Sequence, residues 1–388
     1  MTYESDYSIP EELLEQIWKE GFDALPELIR IILNTAMKIE RQKHLGAGPY
    51  ERTPERQGRA NGFKDKTVAT RVGKITLDIP QVRECNFYPS SLERGIRSER
   101  ALKLALAEMY VQGVSTRKVA AITEQMCGFA VSSSQVSKAT AELDEQLQSW
   151  RERSLERMKY LYLDARYEKV RQNGQIRNSA VLLAVGVNED GKREVLGVSV
   201  SLGEHEVHWR SFLQSLVSRG LGGMALIISD DHSGLGCARQ AVFGGVPWQR
   251  CQCHLQRNAQ AYVPRKDMKS VVASDIRAVF NAPNRQEADA LLQKAVTKYS
   301  QDASQLATWM EENLPQGLTV FAFPESHRRL IRTTNGLERL NREIRRRSRV
   351  ATLFPNEASC LRLVTAVVME ISEDWQTGKR YIKWESDQ

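Results

Sequence analysis

Two aspartates stand where an aspartate is costly. Asp164 follows the run Tyr160-Leu161-Tyr162-Leu163, and Asp230 ends another, Ala225-Leu226-Ile227-Ile228-Ser229. A carboxylate in a buried strand is unfavourable unless it is paired or holds a cation. Each has a structural alternative: Asp164 can pair with Arg166 or Lys169, and Asp230 can cap a following helix. If the two strands are neighbours, both acids enter one crevice at the carboxyl ends of the strands, where open α/β sheets place ligands. Hard divalent cations take such oxygen ligands and leave positions open for water and phosphate. Two ions about 3.5–4 Å apart hydrolyse a phosphodiester by activating the nucleophile and stabilising the leaving oxygen. The expected cofactor is a pair of Mg²⁺ ions, for which Mn²⁺ substitutes. Glu338, one turn into a helix opened by Thr333-Thr334-Asn335-Gly336, is the candidate third ligand, although an acid there also complements the helix dipole. Glu343 is its rival, but at i+5 it points away from that face.

Glu338 is followed by Arg339, Arg342, Arg345, Arg346 and Arg347, which are suited to gripping phosphates beside the metals. Residues 326–350 hold nine arginines, two glutamates and no lysine, and residues 41–100 hold 13 basic against 7 acidic residues. Two separated basic blocks, in a chain of net charge +7, point to a polyanionic partner, nucleic acid first. Residues 1–40 are acidic and lack a signal peptide's basic and apolar regions, and no apolar run is long enough to span a bilayer. The six cysteines are too few for a disulfide framework, so a cytoplasmic, nucleoid-associated protein with reduced thiols and no membrane contact is expected. No G-x-S-x-G elbow and no GxxxxGK[ST] loop occurs, which disfavours serine nucleophiles and ATP-driven steps.

The elements that must position the acids read as follows. Residues 1–66 are a helical segment broken near Pro26, with Gly46 as its stop, followed by a flexible basic loop from 46 onward that contains Arg56, Arg59 and Lys64. Residues 67–98 are a small β unit, with Val68, Thr70, Val72, Ile75, Leu77 and Ile79 alternating around a Gly73-Lys74 turn. Residues 99–155 are helices: Ser115 caps 116–126, and the serines at 132–134 cap 135–147. That is the pattern of a helix-turn-helix, with Ser133, Ser134, Gln135 and Lys138 facing base edges and Arg117 and Lys118 also set against DNA; ordinary helical hairpins share it. From 156 to 254 the pattern is α/β. Strands at 160–167, 179–187 and 194–200 form a meander, and a helix at 207–219, a strand at 225–229, a helix at 233–243 and a strand at 247–253 follow. This order of three antiparallel strands plus two parallel ones is that of an RNase H-like core. Residues 255–325 are an all-helical insertion, and 326–388 return to the core with the helix carrying Glu338.

Four ordered blocks, YLYLDARYEKVR (160–171), ISDDHSGL (228–235), WQRCQCHLQRN (248–258) and TTNGLERLNREIRRR (333–347), resemble the signatures of bacterial insertion-sequence transposases of the Mutator-like superfamily. The resemblance runs over roughly residues 60–375. It implies an RNase H-like catalytic domain and a DDE metal triad on Asp164, Asp230 (rather than Asp231) and Glu338. It also implies binding of terminal inverted repeats, then target DNA. The resemblance further implies that water cuts at an element end and that the freed 3′-hydroxyl attacks a second phosphate, by a copy-out route through a circle. Holding two ends implies at least a homodimer, for which 10–45 and 99–147 offer surfaces. The family's Cys-x-x-His element falls on Cys251 and His254. A zinc site would need further ligands such as Cys253, His205 or His208, and packing at the seam between core and insertion is the plainer role. His232, Cys251, His254, Asn335 and Asn341 are the residues expected to touch a phosphate or a bound water or to shape the site, with helix capping as the alternative for His232. Trp309 is a core residue or a contact for a DNA end. A structure-selective nuclease and a transposase-derived DNA-binding protein without catalysis are the alternatives.

Overall fold

Residues 11–92, 98–349 and 353–384 are described by the structure, a computed structural model. The acidic opening 1–10 and part of the expected β unit, 93–97, lie outside them. The chain divides into two units, Met1–Leu143 and Asp144–Gln388.

In the first unit, α1 (Glu11–Glu20) ends in a short 3-10 turn over Gly21–Ala24, and α2 (Leu25–Leu45) has Pro26 in its first turn. The break therefore precedes the proline, which sits where its missing N–H costs nothing. Gly46 ends α2 in the left-handed conformation, φ +66°. β1 (Arg59–Thr70) and β2 (Gly73–Arg83) form an antiparallel hairpin that turns at Arg71-Val72, and Val68, Ile75, Leu77 and Ile79 pack with Met37 of α2. The expected loop is thus a strand from Arg59 onward. Its side chains over residues 59–65 are all exposed, so no alternation marks it, and the ladder to β2 alone makes it a strand.

α3 (Arg100–Val111), α4 (Thr116–Cys127) and α5 (Ser133–Ala141) complete this unit. Ser115 Oγ accepts from Lys118 N at 3.2 Å, and Ser132 forms a reciprocal capping box with Gln135. The helix expected to run to Leu147 ends at Ala141. α6 (Asp144–Glu152) belongs to the second unit, where Asp144 accepts two hydrogen bonds from Arg362, at 2.6 and 2.7 Å.

The second unit is built on a five-stranded mixed sheet of order β5-β4-β3-β6-β7. β3 (Met158–Gln172), β4 (Gln175–Asn188) and β5 (Arg193–Ser201) form the antiparallel meander, and β6 (Leu226–Ser229) and β7 (Trp248–Arg250) run parallel to β3. Alternation along β3 separates two faces. Leu161 and Leu163 join Leu182, Ala184 and Leu196 under α7 (Glu206–Ser218) and α8 (Ser233–Phe243), in a core containing Trp209, Leu213 and Leu235. Tyr160, Tyr162, Asp164 and Arg166 occupy the other face. There Tyr160 Oη lies 2.9 Å from His327 Nδ1, and Tyr162 Oη donates to Leu330 O at 3.1 Å.

The fifth strand is shorter than the expected 247–253, because α9 (Gln252–Ala259) begins at once. α10 (Lys269–Phe280), α11 (Arg285–Tyr299) and α12 (Ser304–Asn313) follow, with a hydrophobic core of their own around Leu255, Ile276, Leu292, Leu306 and Met310. Trp309 is buried in that core and stacks on Tyr262 with ring centres 5.5 Å apart, so it is a packing residue. α13 (Glu325–Ile331), α14 (Asn335–Ser348) and α15 (Glu357–Thr377) then return to the polar face of the sheet and to β5. No helix among the described residues is long and apolar enough to cross a membrane.

Candidate active site

Sheet register brings the two aspartates together. Tyr162 of β3 is paired with Ile228 of β6, so Asp164, two residues on in β3, comes close to Asp230, one residue past the end of β6, near enough for their charges to interact. Both lie on the carboxyl-terminal side of that parallel pairing. Asp164 is 9% exposed. Burial first, and then the Asp230 carboxylate, push its carboxyl up to about 7. Burial also raises Asp230, against the pull of His254 and His232. Arg166 does not pair with Asp164. It pairs with Glu168 at 2.6 Å and donates to the Asn341 carbonyl, and among the described residues no Lys or Arg forms an ion pair with Asp164. The structural alternative for Asp164 therefore fails. Asp231 is turned to Arg250, 3.0 Å away, leaving Asp230 to face the crevice.

What holds Asp164 is an amide. Asn341 Nδ2 donates to Asp164 Oδ2 at 2.7 Å, and Ala165 N donates to Oδ1 at 2.9 Å. Asn341 Oδ1 is buried with no hydrogen-bond donor. Asn341 lies three residues after Glu338, so the two share a face of α14. Glu338 is half-buried, and the Cys253 thiol is pushed up first by its hydrogen bond with Cys251, then by burial, with a smaller push from the Glu338 charge. Among the described residues no three His, Cys, Asp or Glu side chains gather as a metal-holding group, so Glu338 does not close on the aspartate pair. Cys251 and His254 likewise build no such group with Cys253, His205 or His208.

Cys251 has a different task. It follows β7 directly, is fully buried, and its Sγ accepts from both Thr334 N and Thr334 Oγ1 at 3.4 Å. Thr334 is the N-cap residue of α14, so this sulfur ties the start of that helix to the end of β7. Hydrogen bonds from Cys253, His254 and Thr334 hold the Cys251 thiol well below its ordinary range, and Cys251 in turn raises His254. Residue spacing carried no sign of the Thr334 contact, which spans 83 residues. His232 precedes α8 without capping it, and its Nδ1 lies 3.8 Å from Glu204 Oε2. Asn335 Oδ1 accepts from Cys253 Sγ at 3.6 Å.

The expected DNA contacts divide. Arg342, Arg345 and Arg346 are exposed on α14, whereas Arg347 is buried and paired through both its terminal nitrogens with Glu370, at 2.5 and 2.8 Å. It is therefore a structural residue rather than a phosphate contact. Leu340, Ile344, Arg347 and Ser348 form one buried stripe of α14, which is why Arg347 faces inward. In the first unit Arg59, Lys64, Arg117, Lys118, Ser133, Ser134, Gln135 and Lys138 are exposed and Arg56 is half-buried. The Gln135 side chain is spent on the Ser132 cap, its Oε1 accepting from Ser132 N at 2.7 Å.

Comparison with known proteins gives the family of the chain. The family model described as "Transposase, Mutator family" matches residues 6–378. The chain is 55% identical over 368 residues to the transposase for insertion sequence element IS406 of Burkholderia multivorans, covering 94% of this chain and 95% of that one. It is 46% identical to the transposase of ISRM5 from Rhizobium meliloti, covering 93% of this chain and 90% of that one. It is 37% identical to the transposase of IS256 in transposon Tn4001 from Staphylococcus aureus, covering 94% of each. With a match spanning nearly its whole length, the chain belongs to the Mutator family of transposases.

Proposed function

We propose that this chain is an RNase H-like DNA transposase that cuts and joins strands at terminal inverted repeats through Asp164, Asp230 and Glu338. The observation that carries the reading is the aspartate pair, a buried Asp164 beside a half-buried Asp230, with no ion pair to Asp164. Such a pair is unfavourable alone and suits a divalent cation. The donor set fits Mg²⁺ or Mn²⁺: the carboxylate oxygens and the buried, unpartnered Asn341 Oδ1 are all hard oxygens. Asp164 and Asp230 would hold the ions, joined by Glu338 from α14. Bound there, two ions supply a water activated for attack and a stabilised leaving oxygen.

The chain's own residues do the rest. Asn341 and the Ala165 amide each donate to one oxygen of the Asp164 carboxylate and so fix its orientation. Cys251 anchors Thr334 and with it the helix that presents Glu338. Arg342, Arg345 and Arg346 neutralise phosphates along the exposed side of α14, and the first unit's basic residues bind the repeat. Two copies hold the two element ends, so the working form is at least a homodimer.

The test uses labelled duplexes carrying the inverted repeats that flank the gene. They are incubated with purified protein in Mg²⁺, Mn²⁺ or EDTA, beside Asp164→Ala and Glu338→Gln. Metal-dependent nicking at the repeat boundary with joined products, lost in both variants, is expected. Cleavage that ignores the repeat and joins nothing would make the chain a nuclease. Tight binding without cleavage under any metal would make it a binding protein.

A further inference from the structure

Between the end of α2 and the start of β1 lies an open groove of about 830 Å³ whose lining includes Arg41, Arg52, Arg56 and Arg59 and no acidic residue. Arg56 is fixed in place by its own backbone contacts, donating to Gly58 O at 3.1 Å and Glu51 O at 2.6 Å. Arg41 donates to Gly62 O at 3.3 Å and lies over the Phe63 ring, 4.9 Å from its centre, with Lys38 on the same ring at 5.5 Å. Arg59 has only a long, exposed contact with Glu84 at 3.9 Å. Four guanidiniums converge here with almost no internal neutralisation, a demand for phosphate.

Phosphate does not account for Tyr50. Its ring is fully exposed at the rim of the groove, and its backbone has φ +60°, the left-handed region that a bulky side chain rarely adopts. Glu51 N donates to Gly48 O at 3.3 Å, so Gly48-Pro49-Tyr50-Glu51 is a turn with proline second and tyrosine third, where turns with φ > 0 take Gly or Asn. The strain is offset by nothing the ring touches in this chain, and strained residues cluster where a ligand is held. Phe63, 47% exposed, lies on the same basic strip. Exposed aromatic faces interleaved with arginines are how proteins hold unpaired bases, whose π-faces are open; in a duplex those faces are stacked away.

We infer that this groove holds an unpaired stretch of DNA strand, with phosphates on Arg41, Arg52, Arg56 and Arg59 and bases against Tyr50 and Phe63. This rests on the proposed DNA-processing function and adds a substrate form to it.

The test measures binding of the full-length chain in EDTA to two labelled repeat duplexes that differ only in one end, blunt or carrying an overhang of about four nucleotides. Fluorescence anisotropy gives each Kd, and the ratio of the two is the readout. Wild type is expected to prefer the overhang by roughly tenfold, the worth of one to two stacked bases. Tyr50→Ala should bring the ratio close to one and Tyr50→Phe should keep it. Arg52→Ala with Arg56→Ala should lower the salt slope for the overhang duplex by about one to two. Unchanged melting curves check that these substitutions leave the fold intact. A wild-type ratio near one, or a ratio that Tyr50→Ala leaves intact, overturns the inference while leaving the transposase reading untouched. Failure of wild type to bind either duplex at low salt overturns both.

Discussion

The two aspartates and the glutamate of the proposed triad are positioned by different kinds of structure. Asp164 and Asp230 are set by backbone register: once β3 and β6 pair in parallel, the two residues come side by side, and Asn341 with the Ala165 amide only orients the Asp164 carboxylate. Glu338 stands on a helix held to that sheet by separate polar ties. These run from Thr334 to Cys251, from Asn341 to Asp164, from Arg166 to the Asn341 carbonyl and from Ser348 to Glu168. A ladder is cooperative, whereas each such hydrogen bond contributes only about 1 kcal/mol net. The strand acids are thus the fixed part of the site and α14 the adjustable part, consistent with Glu338 standing one turn from Asn341 without closing on the pair.

Neutralising the fixed part should have the largest effect and one of unusual sign. In metal-free protein the Asp164 carboxyl is pushed up to about 7, so the folded state holds its proton more tightly than the unfolded chain. Its contribution to stability is then complete below pH ~4 and is lost as pH rises to about 7. Asp164→Asn escapes that loss. In EDTA at pH 8 it should be more stable than wild type, by up to about 4 kcal/mol, and the gap should close at pH 4. Repeat cleavage should fall on the order of 10³-fold or more. Thermal melts at both pH values, beside the cleavage assay, check this; a variant less stable than wild type at pH 8 would make Asp164 a structural residue.

The adjustable part yields next. Arg347→Ala removes both bonds to the half-exposed Glu370 and should cost about 2–3 kcal/mol in denaturant melts, discounted from a fully buried pair. Because Arg347 faces inward, the salt dependence of DNA binding should stay as in wild type. Asn341→Asp sets a third carboxylate against Asp164 in place of a donor. It should lose about 2 kcal/mol in EDTA and regain more from millimolar Mg²⁺ than wild type does. An equal Mg²⁺ response in the two proteins would separate Asn341 from the metal site.

How much of this was legible follows the same division. Asp164 and Asp230 stood out because apolar flanks make an acid costly, and a period of two gives the strands and their faces. α14 was legible as a helix, and its period even marks Arg347, in step with Leu340 and Ile344, as inward-facing; reading the arginines as one block concealed this. The Cys251–Thr334 tie was not legible, since a thiol accepting from a cap residue 83 positions away leaves no local pattern. Nor was the first half of β1, whose exposed side chains carry no alternation and whose existence depends on the partner strand. Elements set by burial show in the residues, and elements set by pairing do not.

The smallest expected effect on stability is the sharpest on DNA. Arg346 lies on the exposed side of α14, its Nε 2.9 Å from Glu343 Oε2 with both side chains about half exposed. Removing it should change stability by less than about 0.5 kcal/mol. If α14 carries phosphates past the aspartates, Arg346→Ala should reduce the slope of log K against log salt by about 1 and weaken all duplex sequences alike. The measurement is best made in an Asp164→Asn background, so that binding is read without cutting. An unchanged slope for Arg346→Ala, Arg345→Ala and Arg342→Ala would move the phosphates off this helix. The arginines would then be a solvated face, and orienting the strand over the crevice would fall to residues outside α14.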